Sequence, residues 1–204
     1  VLAFWNAPLE VPDHPRKAIT AALRMRAALA AFNAERGHAG DDRRSHRTAM
    51  GVGLHLGPCS VGNMGSLRRF DYSILGDTVN VSSRLDGACK IFKVDIIASD
   101  TVQAAAPDVA WLDLGRVIVM GRSVPISIAT LAGDAKFAAS EAFHDWREQH
   151  RTAMTHYEAA RFEHAAQSAR KLAQSVAPMW QGLYVALEQC MLTLAASPVV
   201  HGRT

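Results

Sequence analysis

The chain has 204 residues, 49% of them hydrophobic, which is enough for one domain with a core, or for a domain of about 130 residues with a smaller one beside it. Its formal net charge is only +3 and most of its 22 basic residues are spread along the chain, so a nucleic-acid surface is not indicated. The cysteines, Cys59, Cys89 and Cys190, are odd in number and far apart. They favour neither a disulfide framework nor a zinc site, and they predict a reducing, cytoplasmic environment. No apolar run approaches the ~18 residues of a membrane span.

The first residues, VLAFW (1–5), are apolar throughout, with no turn or cap before them. This predicts a buried strand entered partway, and therefore a fragment of a longer chain. Three prolines then exclude regular structure before residue 16. From Arg16 to about Arg36, apolar residues recur every three or four positions, which predicts an amphipathic helix lying on a sheet. Segment 37–48, with a basic cluster, is predicted to be an exposed loop.

Glycine dominates the next segments, MGVGLHLG (50–57) and CSVGNMG (59–65). Their alternation predicts an antiparallel hairpin that turns near Gly57 and Pro58. Because glycine weakens a strand, its frequency indicates close approach either of another backbone or of a ligand. A helix is predicted from Asp77 or Thr78, either of which can cap it, to about Ile91.

Strands and helices continue to alternate after this helix. VDIIAS (94–99) predicts a buried strand, SDTVQAAA a short helix capped by Ser99, and 110–131 two strands joined around 121–123. We expect an α/β (α+β) sandwich of ferredoxin-like type, with a mixed or antiparallel sheet and helices on one face.

The character of the chain changes near Lys136, after which no strand signal remains. Three helices are predicted, near 138–158, 161–176 and 180–195. Their apolar pattern resembles one helix-pair repeat of the tetratricopeptide type. We therefore divide the chain into 1–133 and a helical extension, 134–204, that packs or docks a partner. His144 and His150 are six residues apart and do not match a helical metal-binding pair.

Two polar residues of the helix beginning near residue 77 point to chemistry. Asn80 and Arg84 are four apart and so share one helix face. An amide and a guanidinium near a helix N-terminus suit a phosphate, or charge that develops on one, although a solvated face has the same composition. Arg68, just before a predicted strand, and Arg122, in a turn between two strands, are further candidate anion contacts. A P-loop is excluded because no Gly-Lys-Ser/Thr follows the glycines.

The stretch GVGLHLGPCSVGNMGSLRRFDYSILGDTVNVSSRLD (51–86) resembles the signature of the class III nucleotidyl cyclases, the adenylate and guanylate cyclases. Their usual form is G-I-G-x-x-x-G-x-x-x-x-G-N-x-G-S-x-x-R-x-[DE]-Y-[ST]-x-x-G-D-x-V-N-x-A-x-R-L-E. VLAFWNAP at the start and MGRS at 120–123 also match family segments, so the resemblance covers residues 1 to about 133. It implies a cyclase sandwich that lacks its first strand and helices.

The resemblance implies roles for five residues. Asn80 matches the asparagine that orients the ribose, and Arg84 matches the arginine that stabilises the pentavalent phosphorus transition state. Arg68 and Arg122 match residues that contact the triphosphate. Ser73 matches the position that reads the base, where a hydroxyl favours ATP over GTP. These assignments agree with the shared helix face of Asn80 and Arg84.

The implied reaction is attack of the ribose 3′ hydroxyl on the α-phosphorus, which expels pyrophosphate with the assistance of two Mg²⁺ or Mn²⁺ ions. The family's metal aspartates and base-reading lysine would lie upstream of Val1, so this chain alone is expected to be inactive. Asp71 and Asp77 match structural or peripheral positions, at a strand end and a helix cap. The family works as a head-to-tail homodimer, and the parent protein could be membrane-anchored.

Three alternatives remain open on the sequence. The chain could be a guanylate cyclase, or an inactive cyclase-homology module that dimerises or senses nucleotide. Retention of both Asn80 and Arg84 argues against the inactive module. An RNA-binding ferredoxin-like domain ranks last, because it needs exposed aromatic side chains where the predicted hairpin has glycine and small residues.

Overall fold

The computed structural model describes residues 1–38, 48–66, 69–118 and 124–196. The elements in chain order are α1 (His14–His38), β1 (Val52–Leu54), β2 (Ser60–Ser66), β3 (Arg69–Leu75), α2 (Asp77–Phe92), β4 (Ile96–Ser99), α3 (Asp100–Ala105), β5 (Ala110–Val117), β6 (Ile126–Gly133), α4 (Ala135–Ala138), α5 (Glu141–Glu158), α6 (Phe162–Ser175) and α7 (Pro178–Ala196). This is the mixed α+β architecture, with a helical C-terminal part, that the sequence predicts.

The described strands form two sheets. The larger has the order β1-β4-β6-β5, with β1 parallel to β4 and the other neighbours antiparallel. The smaller consists of β2 and β3 alone, paired antiparallel from Ser60 opposite Leu75 to Ser66 opposite Arg69. The strands predicted over 94–99 and 110–131 are therefore confirmed as β4, β5 and β6.

The prediction that helices cover one face of the sheet is wrong. All four residues of β4 are buried, so its side chains need apolar partners on both sides. Ile96 and Ala98 pack with residues of α1 and α3. Ile97 faces the opposite way and joins the core formed with α2, α5, α6 and α7.

The predicted hairpin between 50–57 and 59–65 is also wrong. β1 lies in the large sheet, in register with β4 from Val52 opposite Ile96 to Leu54 opposite Ala98. The hairpin partner of β2 is β3. Alternation along a strand shows which residues share a face, but it does not identify the neighbouring strand. In the large sheet Leu54 is buried and packs in one cluster with Ile96 and Ala98 of β4.

The opening residues, predicted to be a buried strand, have no strand conformation. A strand needs a hydrogen-bonding neighbour, and none of the described strands pairs with residues 1–5. Val1 and Leu2 are exposed, while Phe4 contacts Tyr72 of β3, with ring centroids 6.1 Å apart. This segment therefore runs against the small sheet without joining it.

Helix α1 is confirmed, but packing covers only part of its predicted apolar stripe. Ile19 and Ala22 are buried, whereas Met25 and Phe32 are about half exposed.

Arg26 of α1 connects this helix to several other elements. It binds Asp95 through two hydrogen bonds of 2.6 and 2.8 Å and also donates to the carbonyl oxygens of Leu131 and Ala132. Its guanidinium lies 5.5 Å from the ring centroid of Trp180. One side chain thus joins α1, the start of β4, the end of β6 and α7.

The three predicted C-terminal helices are present as α5, α6 and α7. Ser140 caps α5 by accepting a hydrogen bond from the Phe143 amide, at 3.3 Å. Buried residues of these helices belong to the same apolar cluster as Leu85 of α2 and Ile128 of β6. The division at 133/134, and any relation to tetratricopeptide repeats, stay predictions. In the described part of the chain, no helix is long and apolar enough to span a bilayer.

Candidate active site

Helix α2 begins after Gly76, whose φ of 145° favours glycine. The prediction that Asp77 or Thr78 caps this helix is wrong, because the N-cap residue is Gly76 and no side chain makes the capping bond. The Thr78 hydroxyl instead donates to the carbonyl oxygen of Pro58, at 2.6 Å. This bond fixes the first turn of α2 against the segment between β1 and β2.

Gly53 of β1 and Gly51 just before this strand are explained by close approach of α2. A Cβ atom on Gly53 would overlap the carbonyl oxygen of Ser82 and lie 2.5 Å from the amide nitrogen of Asp86. A Cβ atom on Gly51 would overlap the Asp86 carboxylate. The Ser82 hydroxyl also donates to the carbonyl oxygen of Gly53, at 2.7 Å. Close packing against α2 therefore accounts for both positions, through the helix backbone at Gly53 and mainly through the Asp86 carboxylate at Gly51.

These contacts fix the rotation of α2 about its axis. Val81, Leu85 and Cys89 are buried on the inner face. Asn80 and Arg84 are both exposed and share the outer face, one turn apart. Neither side chain forms a hydrogen bond or ion pair with another described residue. The structure thus brings these two predicted site residues together, directed away from β1.

We expect Thr78→Val to lower the free energy of unfolding by about 0.5–1.5 kcal/mol, because valine keeps the shape of threonine but leaves the Pro58 carbonyl without its donor. Urea denaturation measures the change. Ser83→Ala, at an exposed position of the same helix, is the control and should change little. An equal, negligible effect of both substitutions would show that the Thr78 bond does not hold α2.

The other predicted site residues are less completely described. Ser73 lies on β3 opposite Gly62 and is partly buried. Because β3 leads into α2 through Gly76, Ser73 and Asn80 lie on adjoining elements. Arg68 and Arg122 lie outside the described residues.

A cavity of about 430 Å³ lies on the other side of α2. It is bounded by residues 2–7, by the start of α1, by residues 53–59 and by inner-face residues of α2 that include Thr78 and Ser82. Asn80 and Arg84 do not line it.

His55 lines this cavity, and the Nδ1 atom of His55 is 2.8 Å from the Ser99 hydroxyl. Ser99 is the N-cap residue of α3, as predicted, but its side chain makes no capping bond, because this hydroxyl bonds His55 and Thr101. Sequence reasoning missed His55, whose partner is 44 residues away.

The described residues hold no cluster of metal-ligating side chains. No three histidine, cysteine, aspartate or glutamate side chains come together there in a way that could hold a metal ion. The donor set of the described chain therefore does not fit a pair of divalent ions.

The fold agrees with comparisons to known proteins. The family model described as the adenylate and guanylate cyclase catalytic domain matches residues 3–130. The chain therefore belongs to the family of adenylate and guanylate cyclase catalytic domains.

Particular relatives are similar over the same part of the chain. It is 37% identical over 134 residues to adenylate cyclase 1 of Rhizobium meliloti, which covers 65% of this chain and 20% of that protein. The adenylyl cyclase CyaB of P. aeruginosa has the same fold, with a TM-score of 0.55 at 24% identity over 63% of this chain and 64% of that one. A guanylyl cyclase crystal structure gives a TM-score of 0.52 at 28% identity, over 63% and 62%. The chain spans about a fifth to a quarter of the curated relatives it matches.

Proposed function

We propose that this chain supplies the nucleotide-orienting half of an adenylate cyclase active site, which converts ATP to 3′,5′-cyclic AMP and pyrophosphate. The observation that carries the proposal is the exposed pair Asn80 and Arg84, held one turn apart on the outer face of α2. An amide donor and a planar guanidinium at this spacing suit a ribose and a phosphoryl group that belong to one ligand.

In the proposed reaction, the ribose 3′ oxygen attacks the α-phosphorus and the bond to pyrophosphate breaks. Negative charge increases on the oxygens around phosphorus, and Arg84 stabilises it with directed N–H donors. Asn80 holds the ribose so that the attacking oxygen is aligned. Ser73 donates to, or accepts from, the adenine edge. Arg68 and Arg122 are proposed to bind the triphosphate on the strength of the sequence alone.

The direction in which the outer face of α2 points favours an active site shared between two copies of the protein. Asn80 and Arg84 face away from β1 and from the 430 Å³ cavity, so the remaining groups of the site must approach from outside this face. We propose a head-to-tail homodimer in which the second copy faces α2, as the family resemblance implies. Two Mg²⁺ or Mn²⁺ ions would be held by carboxylates that lie outside this sequence, as the family resemblance implies. We propose that this domain lies in the cytoplasm.

The proposal is tested by incubating a dimeric protein that includes the upstream segment with ATP or with GTP and measuring both cyclic nucleotides. We expect cyclic AMP as the main product. Cyclic GMP in excess would favour the guanylate cyclase alternative, for which the 28% identical guanylyl cyclase structure is the supporting observation. Nucleotide binding without either product would support an inactive nucleotide-sensing module.

We expect Ser73→Ala to reduce the preference for ATP over GTP by about five- to tenfold, the worth of one hydrogen bond to the base. The measurement is the ratio of kcat/KM for the two nucleotides. Asn63→Ala, on the neighbouring strand opposite Tyr72, serves as a control that should leave the ratio unchanged. An unchanged ratio in both variants would remove Ser73 from the base site.

A further inference from the structure

A buried chain of hydrogen bonds joins the C-terminal helices to the large sheet. His150 of α5 is 2% exposed. Its Nδ1 is 3.0 Å from the hydroxyl oxygen of Tyr184 on α7, and its Nε2 is 2.6 Å from the carbonyl oxygen of Asp113 on β5. The indole nitrogen of Trp146 donates to the same Tyr184 hydroxyl, at 2.6 Å. Three elements therefore meet at one imidazole.

Only one arrangement of protons satisfies all four groups. A carbonyl oxygen cannot donate, so Nε2 of His150 carries the hydrogen that binds Asp113. An indole N–H cannot accept, so the Tyr184 hydroxyl accepts from Trp146 and has its single proton left for Nδ1 of His150. The set is complete when His150 is neutral, with its hydrogen on Nε2.

Protonation of His150 disrupts this arrangement of hydrogen bonds. The imidazolium places a second N–H against the Tyr184 hydroxyl, which must then accept two hydrogen bonds and turn its own proton away from His150. That leaves a buried donor without its partner and a buried cation in an apolar core. Burial accordingly lowers the pKa of His150, opposed by the hydrogen bond to the Asp113 carbonyl and by the charge of the Asp113 carboxylate.

The charged groups around His150 do not supply a partner for its cation. Asp113 is the acid that favours protonation, but its carboxylate accepts a hydrogen bond from the Gly115 amide, at 3.0 Å, and is exposed. Burial raises the pKa of Tyr184, which keeps its hydroxyl protonated. Charged side chains elsewhere on α5, α6 and α7 have contacts of their own: Arg147 lies over the Phe143 ring, Arg151 pairs with Glu148, and Arg170 pairs with Glu188.

The Asp113 carbonyl lies at a break in the sheet. The register of β5 against β6 shifts between Asp113 and Gly115, and Gly115 has a φ of 83°. One extra residue therefore sits in β5 at the point where α5 contacts it. The Asp113 carboxylate holds this bulge from within the strand, and His150 holds it from the helix.

We propose that His150 is a positioning residue and a pH-sensitive latch: in its neutral form it holds the bulge of β5 against α5 and α7, and protonation releases the C-terminal helices from the sheet. Through this latch, the conformation of the β5 bulge depends on whether the C-terminal helices are packed against the sheet. It stands on the hydrogen-bond geometry and does not depend on the proposed reaction.

The direction of the pH effect follows from proton linkage. In the unfolded chain the imidazole titrates at the ordinary value of 6.5, and in the folded chain its pKa is lower. The unfolded state therefore binds more protons below that pH, and the latch's stability, complete at higher pH, is lost as pH falls toward the folded pKa. The equilibrium constant for opening rises by at most about tenfold per pH unit for one proton.

The test compares the wild-type chain, His150→Gln and His144→Gln in urea titrations at about pH 7.5 and about pH 5.5. Glutamine can donate and accept but does not titrate in this range. We expect the wild type and His144→Gln, the exposed control on the same helix, to lose stability at the lower pH by up to about tenfold in the unfolding constant. His150→Gln should lose less, whatever its stability at the higher pH. Equal losses in all three proteins would overturn the latch.

Hydrogen exchange and NMR of the wild type keep the proposal testable if His150→Gln does not fold. We expect ¹⁵N spectra to show a neutral His150 with its hydrogen on Nε2, and protection of α5, α7 and β5 amides to fall together when it becomes protonated. Titration of His150 together with the exposed histidines, with protection of these elements unchanged, would contradict the proposal.

Discussion

Replacing Arg84 by alanine is expected to lower cyclic AMP turnover by at least ten- to a hundredfold, in a protein that includes the upstream segment implied by the family resemblance. Each tenfold loss corresponds to about 1.4 kcal/mol of transition-state stabilisation. The reason is that Arg84 is exposed on the outer face of α2 and is proposed to bind charge that develops only as the phosphorus becomes pentavalent.

The control for this experiment is Lys90→Ala, which removes another exposed cation from the same helix. It should leave kcat within about twofold, since a surface substitution away from the site has a small effect. ATP binding should weaken much less than kcat in Arg84→Ala. Equal losses in affinity and turnover would mean that Arg84 binds the substrate uniformly and has no particular role in the transition state.

The Gly53→Ala substitution is expected to lower the free energy of unfolding by about 1–3 kcal/mol, and more if α2 cannot shift. The added Cβ would overlap the Ser82 carbonyl and lie 2.9 Å from the Leu85 Cβ, so the helix must move away from β1. Because α2 carries Asn80 and Arg84 on its other face, the same displacement should lower turnover. Urea denaturation and a kcat measurement check the two effects.

Gly62→Ala is the matched control, because a Cβ atom there has no atom of a neighbouring group within 4 Å. It should change the free energy of unfolding by no more than about 0.5 kcal/mol. If Gly53→Ala were as well tolerated as Gly62→Ala, the close contact between β1 and α2 would not determine the position of the helix.

The elements that the sequence predicts well have local periodicity of their own. Helices α1, α2 and α5–α7 follow from apolar residues three and four apart, and β4 from its continuous apolar run. The shared face of Asn80 and Arg84 follows from helix geometry alone. Their role, by contrast, depends on resemblance to the cyclases, because exposed polar residues four apart are also ordinary solvent-facing positions.

The wrong predictions concern choices between partners that are distant in sequence. The alternation of β1 and β2 does not show that β1 pairs with β4 and β2 with β3. Thr78 is a good capping residue, but its hydroxyl donates instead to the carbonyl oxygen of Pro58, 20 residues earlier. From the sequence, His150 is considered only with His144, as a metal-binding pair that the spacing excludes. Its actual hydrogen-bond partners, 34 and 37 residues away, cannot be seen in a local pattern.

The central claim is that Asn80 and Arg84 form one half of a site completed by a second copy. The most direct test mixes this 204-residue chain with an Arg84→Ala protein that includes the upstream segment. Each component alone should form little cyclic AMP, since one is expected to lack the metal aspartates and the other lacks the arginine. The mixture should be active, because the chain contributes an intact α2 face to the other copy. A mixture no more active than its components, with dimer formation verified, would contradict the account.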